Sequence, residues 1–215
     1  MTSNRVSRLT RNHLEKYLVT PEASCFLRTI TCRVGIIAVA GKYRTGKSFL
    51  LNRVIINSRH GGFGVGPTIN PCTKGLWLYT RLLETTQPGG EPLSILVIDS
   101  EGIGAFDEDE NHDTKIFLLA LLLSSFFIYN SVGTIDESAL NNLSLIINLS
   151  KELQIKSELL EDCDPEEIQK LFPSFLWIVR DFSLRLIDTQ DNVITPRQYL
   201  ENALMQQKGS SDGIE

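Results

Sequence analysis

Residues 41–48 read Gly41-Lys42-Tyr43-Arg44-Thr45-Gly46-Lys47-Ser48 and match every position of the phosphate-binding loop pattern G-x-x-x-x-G-K-[ST]. The glycines let the backbone wrap closely around phosphates, Lys47 adds a positive charge for the β- and γ-phosphates, and the Ser48 hydroxyl is a ligand for Mg²⁺. The alternative is a chance match in a glycine-containing turn. The loop predicts that the chain binds a nucleoside triphosphate.

The segments around this loop support the prediction. Before it, Val34–Ala40 is a short apolar run suited to a buried strand, and after it, Ser48–Ile56 begins with a helical pattern. The glycine-rich stretch His60–Pro67 follows and predicts a mobile loop. Mobility beside a phosphate site is typical of a switch.

The rest of the chain alternates between strand and helix patterns. Gly75–Leu83 predicts a strand, Gln87–Gly90 its turn, and Leu93–Ile98 an antiparallel second strand. We further predict helices over 114–123, over 136–155 and after Thr195-Pro196, strands over 126–129 and 175–179, an acidic loop over 107–113 and an acidic, surface-exposed segment over 157–170. This alternation predicts an α/β fold with a mainly parallel sheet, helices on both faces and an antiparallel strand pair.

The charge distribution argues against nucleic acid as a partner. The 215 residues have a net charge of −5, and residues 1–60 hold eleven of the 21 Lys and Arg residues but only two of the 26 acids. The basic region either helps to attract an anionic nucleotide or is a solvated arm containing Arg5, Arg8 and Arg11. The acidic remainder makes polynucleotide binding an unfavourable interpretation.

The cysteines and the apolar segments predict a cytoplasmic chain. Cys25, Cys32, Cys72 and Cys163 have neither the spacing of a zinc site nor the density of a disulfide framework, which fits a reducing compartment. The longest apolar run, Ile116–Tyr129, is shorter than the roughly 20 residues of a membrane-spanning helix. The basic N-terminus lacks the apolar core of a secretory signal.

A second motif follows the phosphate loop. Asp99-Ser100-Glu101-Gly102 ends an apolar strand and fits the D-x-x-G element, whose carboxylate holds a Mg²⁺-bound water and whose glycine N–H contacts the γ-phosphate. Thr73 lies between the two motifs, where a threonine can complete the Mg²⁺ coordination shell while the γ-phosphate is present and release the metal after hydrolysis. Alternatively, residues 99–102 are an ordinary acidic turn, and Thr73 is an ordinary hydroxyl at the end of a strand. Ser48, Thr73 and Asp99 are the candidate metal ligands.

Two features of small GTPases are missing, and several longer stretches point to another family. The chain has no [NT]-K-x-D base-recognition motif, and Ile103 stands where Ras-like enzymes carry a water-positioning glutamine. Instead, the chain closely resembles the guanylate-binding proteins, which are large dynamin-like GTPases, over approximately residues 25–210. The most specific stretches of this resemblance are residues 41–52, 73–77, 99–102, 122–130 and 177–182.

The resemblance implies a P-loop GTPase domain and assigns roles to individual residues. In that family an Arg-Asp pair recognises guanine, here Arg180-Asp181, and Arg44 corresponds to an internal arginine finger. Alternatively, Arg44 is a solvent-facing charge and Asp181 a surface ion-pair partner or cap. The resemblance also implies GTP-dependent homodimers and a possible second cleavage from GDP to GMP. The other nucleotide-binding residues it implies are Gly41, Tyr43, Thr45, Gly46, Lys47, Ser48, Phe49 and Gly102.

The chain departs from the better-known animal pattern at Pro71 and in its extent. Those members carry a serine at Pro71 that is linked to water activation, and because proline has no hydroxyl, Glu101 becomes the leading side chain for organising the attacking water. Family members also continue with further sheet elements and a long helical domain. We therefore expect residues 1–215 to be a single large GTPase domain that is truncated at its C-terminal end.

Three functional hypotheses follow. The leading one is a Mg²⁺-dependent GTPase with GTP and GDP as ligands and with Arg44, Lys47, Thr73 and Glu101 as catalytic residues. The second is a binding or regulatory module that holds nucleotide without turnover, for which Pro71 and the expected C-terminal truncation are the arguments. The third, a P-loop kinase, leaves Thr73 unexplained and has no recognisable second substrate site.

Overall fold

The computed structural model describes residues 6–206 except 14–15, 59–60, 67–73, 105–109, 138, 142, 145–147 and 149–171. Of the described residues, those within 1–130 and 163–178 form one compact unit, and those within 131–162 and 179–215 form a second. The phosphate loop and the D-x-x-G element both belong to the first unit.

A mixed sheet organises the described residues, and its central strands are parallel. Strand β4 pairs in parallel with β7 and β8, and antiparallel strands extend the sheet beyond β7, giving the order β1-β5-β7-β4-β8-β9 with β6 also paired to β7. Strands β2 and β3 form a separate antiparallel hairpin. The strand bounds are β1 Val6–Arg8, β2 Thr10–His13, β3 Lys16–Val19, β4 Val34–Ala40, β5 Leu76–Tyr79, β6 Leu83–Thr86, β7 Pro92–Ser100, β8 Phe126–Val132 and β9 Ser174–Arg180.

The helices begin where the sequence provides caps. Thr195 Oγ1 accepts from Gln198 N at 3.2 Å while Gln198 Oε1 accepts from Thr195 N at 2.8 Å, a reciprocal capping box that confirms the predicted start after Thr195-Pro196. The helix bounds are α1 Pro21–Arg28, α2 Lys47–Leu50 with a π-helical continuation over Leu51–Ile55, α3 Glu110–Leu123 and α4 Pro196–Gln206. Every described residue between 137 and 148 is also helical. No helix among the described residues has the length and apolarity needed to cross a membrane.

The core forms where the parallel strands meet the helices. Val39 of β4 and Val97 of β7 are fully buried and pack with Leu51 and Ile128, as expected for strands that are covered on both faces. On α3, the Phe117 ring lies edge-on to Phe127 of β8 with centroids 5.4 Å apart. This packing fixes the carboxyl ends of β4 and β7, from which the two nucleotide motifs emerge.

The α/β prediction is confirmed, and two element bounds are corrected. The strand predicted over 75–83 is interrupted: β5 ends at Tyr79 and β6 begins at Leu83, although both pair antiparallel with β7 as predicted. The helix predicted from Thr114 begins at Glu110, so residues 110–113 are its first turn and not a loop. Acidic side chains are favourable there because the N-terminal end of a helix is electrically positive. The predicted segments over 149–155 and 157–170 lie outside the described residues.

The glycine-rich stretch, over its described residues 61–66, is anchored to the core. Asn52 donates to Phe63 O and accepts from Phe63 N, both at 2.8 Å, and the Phe63 side chain is buried. A Cβ atom on Gly62 would lie 2.2 Å from Asn52 Oδ1, so this position needs glycine. Residues 61–66 form a loop without regular secondary structure, as predicted, and Phe63 anchors it to the interior; its mobility stays a prediction.

Candidate nucleotide-binding site

The phosphate loop connects β4 to α2 through three residues in left-handed backbone conformations. Gly41, Arg44 and Gly46 have φ values of 148°, 60° and 78°. A Cβ atom on Gly41 would lie 2.0 Å from Asn130 O, so no other residue fits. From the same neighbouring strand, the buried Asn130 side chain donates to Thr45 O at 3.0 Å. The phosphate loop is thus held against β8 by contacts within the protein.

Lys47 folds over the loop that contains it. Its Nζ donates to Gly41 O at 3.2 Å and to Lys42 O at 3.0 Å, and the residue is only 6% exposed. Burial lowers the pKa of Lys47 to about 8, while the carboxylates of Asp99, Glu101 and Asp113 act in the opposite direction. The ammonium therefore lies inside the loop curve, where a phosphate group would become its partner.

Ser48 joins the phosphate loop to the D-x-x-G element. Its Oγ donates to Asp99 Oδ2 at 2.6 Å, and Asp99 is fully buried at the end of β7. The described residues contain no group of three or more His, Cys, Asp or Glu suited to a metal. A hydroxyl and one carboxylate are nevertheless the donor set that suits Mg²⁺, which takes few protein ligands and completes its shell with phosphate oxygens and water. Thr73, the third predicted ligand, lies outside the described residues.

The two motifs also pair through their backbones. Tyr43 N donates to Ile103 O at 3.0 Å and Ile103 N donates to Gly41 O at 3.1 Å, which makes Lys42 and Ile103 bridge partners in parallel. A Cβ atom on Gly102 would lie 2.2 Å from Tyr43 Cα. The motif pattern alone did not predict this close approach, which requires glycine for a steric reason in addition to the predicted phosphate contact.

Glu101 is held in the interior by residues that the sequence did not indicate as parts of the site. Its Oε2 accepts from Gly75 N at 2.6 Å and lies 3.2 Å from His112 Nε2, and the residue is only 3% exposed. Its Oε1 is buried without a hydrogen-bond partner in the described part of the chain. On the far side of the imidazole, Tyr17 Oη lies 2.7 Å from His112 Nδ1. No sequence pattern pointed to Tyr17 or His112.

Three further predicted residues lie on the outer part of the loop and on the following helix. Arg44 is exposed, and Thr45 Oγ1 donates to Lys42 O at 2.8 Å, which tightens the loop turn. Phe49 is 46% exposed, and the Arg53 guanidinium lies 5.6 Å from its ring centroid. Stacking of this kind covers one face of the aromatic ring.

The Arg180-Asp181 pair belongs to the second unit and ends β9. Arg180 O accepts from Gly133 N at 2.8 Å, after which Asp181 is exposed and turns the chain with φ 53°. The next residue, Phe182, packs edge-on against Tyr199 of α4 with centroids 5.2 Å apart. The predicted position of Asp181, immediately after a strand, is confirmed, and its role in base recognition stays a prediction.

Comparison with known proteins assigns the family. Residues 14–215 match the family model described as guanylate-binding protein, N-terminal domain. The chain belongs to the guanylate-binding protein family. Of the stretches that resemble this family, residues 41–52 contain the phosphate loop and residues 99–102 contain Gly102, which packs against it.

Individual guanylate-binding proteins are similar over most of the chain. Guanylate-binding protein 7 of Mus musculus is 39% identical over 201 residues, which are 91% of this chain and 30% of that protein. Guanylate-binding protein 1 of Chlorocebus aethiops is 37% identical over 207 residues, and that of Homo sapiens is 36% identical over 208 residues. These alignments cover 95% and 94% of this chain and 34% of each relative. The chain thus spans about a third of the length of these relatives.

We predict that Gly102→Ala abolishes nucleotide binding, because the added methyl group would overlap the Tyr43 backbone and push the two motifs apart. Gly64→Ala is the control, since a Cβ atom there would meet nothing within 4 Å. Fluorescent-nucleotide titration of both folded variants checks this. Binding by Gly102→Ala at the strength of the Gly64→Ala control would contradict the steric role of Gly102.

Proposed function

We propose that this chain binds GTP together with Mg²⁺ and hydrolyses the β–γ bond by in-line attack of water. The observation that carries the proposal is the 2.6 Å hydrogen bond from Ser48 Oγ to Asp99 Oδ2, beside the buried Lys47. A phosphate-loop hydroxyl and a buried carboxylate in contact beside a cation support Mg²⁺-dependent phosphoryl transfer. Membership of the guanylate-binding protein family favours a guanine nucleotide over ATP.

The phosphates would be bound by the loop amides and by Lys47. Lys47 exchanges its contacts with Gly41 O and Lys42 O for oxygens of the β- and γ-phosphates. Ser48, Asp99 and Thr73 would hold Mg²⁺, which when bound neutralises charge on the same oxygens. Arg44, as an internal finger, offsets the charge that grows on the β–γ oxygen during bond cleavage.

This chain departs from the animal relatives in the side chain that is available to organise the attacking water. Pro71 has no hydroxyl, so we assign the organisation of the water to Glu101. Oε2 of Glu101 is already held by Gly75 N, which leaves Oε1, buried without a hydrogen-bond partner among the described residues, as the acceptor for the water. A carboxylate that is fixed in this way loses little conformational freedom when the water binds.

Guanine would be selected by Arg180-Asp181. The Asp181 carboxylate accepts hydrogen bonds from guanine N1–H and from the 2-amino group, and adenine does not present this pair of donors. The position of Asp181 after β9 supports this role, because ligands of α/β proteins bind beyond the carboxyl ends of strands. GTP-dependent dimerisation through this domain, a further cleavage to GMP and a cytoplasmic location complete the proposal.

The experiment that tests the proposal is single-turnover phosphate release by the purified chain. We expect release from GTP with Mg²⁺, and no release from ATP or after the metal is removed with EDTA. Tight GTP binding without release would instead establish the regulatory module, and phosphate transfer to a second small molecule would establish a kinase.

We predict that Asp181→Asn weakens GTP binding by about tenfold to a few hundredfold, because an amide NH₂ then opposes the guanine amino group. Xanthosine triphosphate, which carries an oxygen at that position, should bind better than it does to the unchanged chain. Competition titrations with GTP, ATP and xanthosine triphosphate measure both effects. The matched control is Asp191→Asn, because Asp191 is also exposed, also has a left-handed backbone conformation and belongs to the same unit. If Asp181→Asn binds the three nucleotides in the same order of affinity as the control, the base is recognised by other residues.

A further inference from the structure

Glu101 is connected to the N-terminal hairpin, β2–β3, by two separate routes. On the first route, Tyr17 of β3 contacts His112 of α3, and His112 contacts Glu101. On the second route, Thr10 of β2 contacts the chain that carries Gly75, whose N–H donates to Glu101. Neither route passes through the phosphate loop.

The first route has a consistent direction of hydrogen bonding. When the imidazole is neutral, Tyr17 O–H donates to His112 Nδ1, so the ring proton resides on Nε2 and is directed at Glu101 Oε2, 3.2 Å away. The carboxylate can only accept, so it requires the neutral tautomer with the proton on Nε2, and the tyrosine hydroxyl then donates to the free Nδ1. The two rings also pack together, with centroids 5.8 Å apart, which restricts the rotation of the imidazole.

The second route fixes the backbone partner of the same oxygen. Thr10 Oγ1 accepts from Leu76 N at 3.2 Å, and Leu9 N donates to Leu76 O at 2.7 Å. Thr10 and Leu9 thus contact the start of β5, and Gly75, immediately before β5, presents its N–H to Glu101 Oε2 at 2.6 Å. The pairing of β5 with β7 also holds Gly75, whose O accepts from Glu101 N at 2.8 Å, so the hairpin contributes to the position of this donor and, through Tyr17, to that of His112.

We propose that the β2–β3 hairpin is a positioning element for Glu101, with Tyr17 and His112 as positioning residues. The inference rests on the proposed function, in which Glu101 Oε1 organises the attacking water. Because Oε2 is bound by two donors in the interior, the carboxylate has one orientation, and Oε1 is the only oxygen left for the reaction. Loss of the hairpin contacts allows the carboxylate to rotate, which slows hydrolysis without weakening nucleotide binding.

The test compares His112→Phe with His112→Gln. Phenylalanine keeps the ring but cannot donate, whereas the glutamine amide nitrogen can occupy the place of the imidazole Nε2. We expect His112→Phe to slow single-turnover GTP hydrolysis by about 10- to 100-fold, the effect of losing one hydrogen bond to a charged group. His112→Gln should stay within about threefold of the unchanged chain. Affinity for a non-hydrolysable GTP analogue should be the same in all three.

Tyr17→Phe tests the first route without changing the residues around Glu101. We expect a slowing of about three- to tenfold, and no additional slowing when Tyr17→Phe is combined with His112→Phe, because tyrosine acts only through the imidazole. Tyr79→Phe, which removes a hydroxyl from a buried tyrosine of β5, is the matched control and should hydrolyse GTP at the unchanged rate.

A second readout does not depend on activity. Hydrogen exchange of the Gly75 amide in nucleotide-free protein, followed by NMR, should become faster in His112→Phe and not in His112→Gln. If the unchanged chain hydrolyses no GTP, the proposed function fails and this exchange still reports on the hairpin. The inference is overturned if His112→Phe hydrolyses GTP at the unchanged rate, if His112→Gln is as slow as His112→Phe, or if Gly75 exchange is the same in both variants.

Discussion

Arg44→Ala is expected to slow single-turnover GTP hydrolysis by about 10³-fold or more while GTP affinity stays within about threefold, as for other arginine fingers. The side chain is exposed on the outer part of the loop, and its backbone adopts φ 60°, so its removal opens no cavity in the core. A guanidinium in this place acts on charge that grows only as the β–γ bond breaks. Rapid-quench measurement of phosphate release, together with a binding titration, separates the two quantities.

Two companion variants make the Arg44 result specific. Arg53→Ala removes the same charge from the exposed surface of the π-helical turn, where the guanidinium lies over the Phe49 ring, and should leave hydrolysis unchanged. Arg44→Lys retains a charge without the planar fork and should fall between Arg44→Ala and the unchanged chain. If Arg44→Ala and Arg53→Ala release phosphate equally fast, Arg44 is a surface charge and not a finger.

Lys47→Met is expected to weaken triphosphate binding by about 100-fold or more and, at the same time, to stabilise the nucleotide-free chain. The binding loss follows from removal of a charged donor from the phosphates. The stabilisation follows because burial makes the ammonium unfavourable in the folded chain, by about 3 kcal/mol at most for a pKa lowered from 10.5 to about 8. Lys42→Met, at the exposed lysine of the same loop, should do neither.

The stabilisation should depend on pH in a defined direction. Between pH 8 and 10.5 the unfolded chain keeps the Lys47 proton that the folded chain has released, so the free energy of unfolding of the unchanged chain rises with pH through this window. Lys47→Met lacks that rise, and the two free energies converge as pH approaches 10.5. Urea unfolding at pH 7 and at pH 9.5 measures the difference, and an equal advantage of Lys47→Met at both values would contradict the assignment.

The features that the sequence predicted depend on neighbouring residues or on short motifs whose relative placement is known. The strand before the loop, the helix after it and the cap at Thr195 follow from local patterns, and the contact of Ser48 with Asp99 follows from two motifs whose relative placement is shared by phosphate-loop proteins. The family resemblance, which rests on such short stretches of neighbouring residues, was confirmed by the family match over residues 14–215.

The features that the sequence did not predict depend on residues far apart in the chain. Tyr17 and His112 are 95 positions apart, and neither stands in a motif, so only the folded chain brings them to Glu101. Phe63 lies among glycines that indicated only a loop, so neither the burial of its ring nor its two bonds to Asn52 could be predicted. The roles of Thr73 and of Arg180-Asp181 stay predictions.

The bridge between Lys42 and Ile103 has a consequence for how the protein fluctuates. Backbone bonds at Tyr43 and Ile103 join two segments that are distant along the chain, so one segment cannot open locally without breaking bonds to the other. Their amide protons should therefore exchange with a single opening free energy, as members of one cooperative unit. Opening at Tyr43 then also breaks the bond at Ile103, so the phosphate loop and the segment after Gly102 separate together.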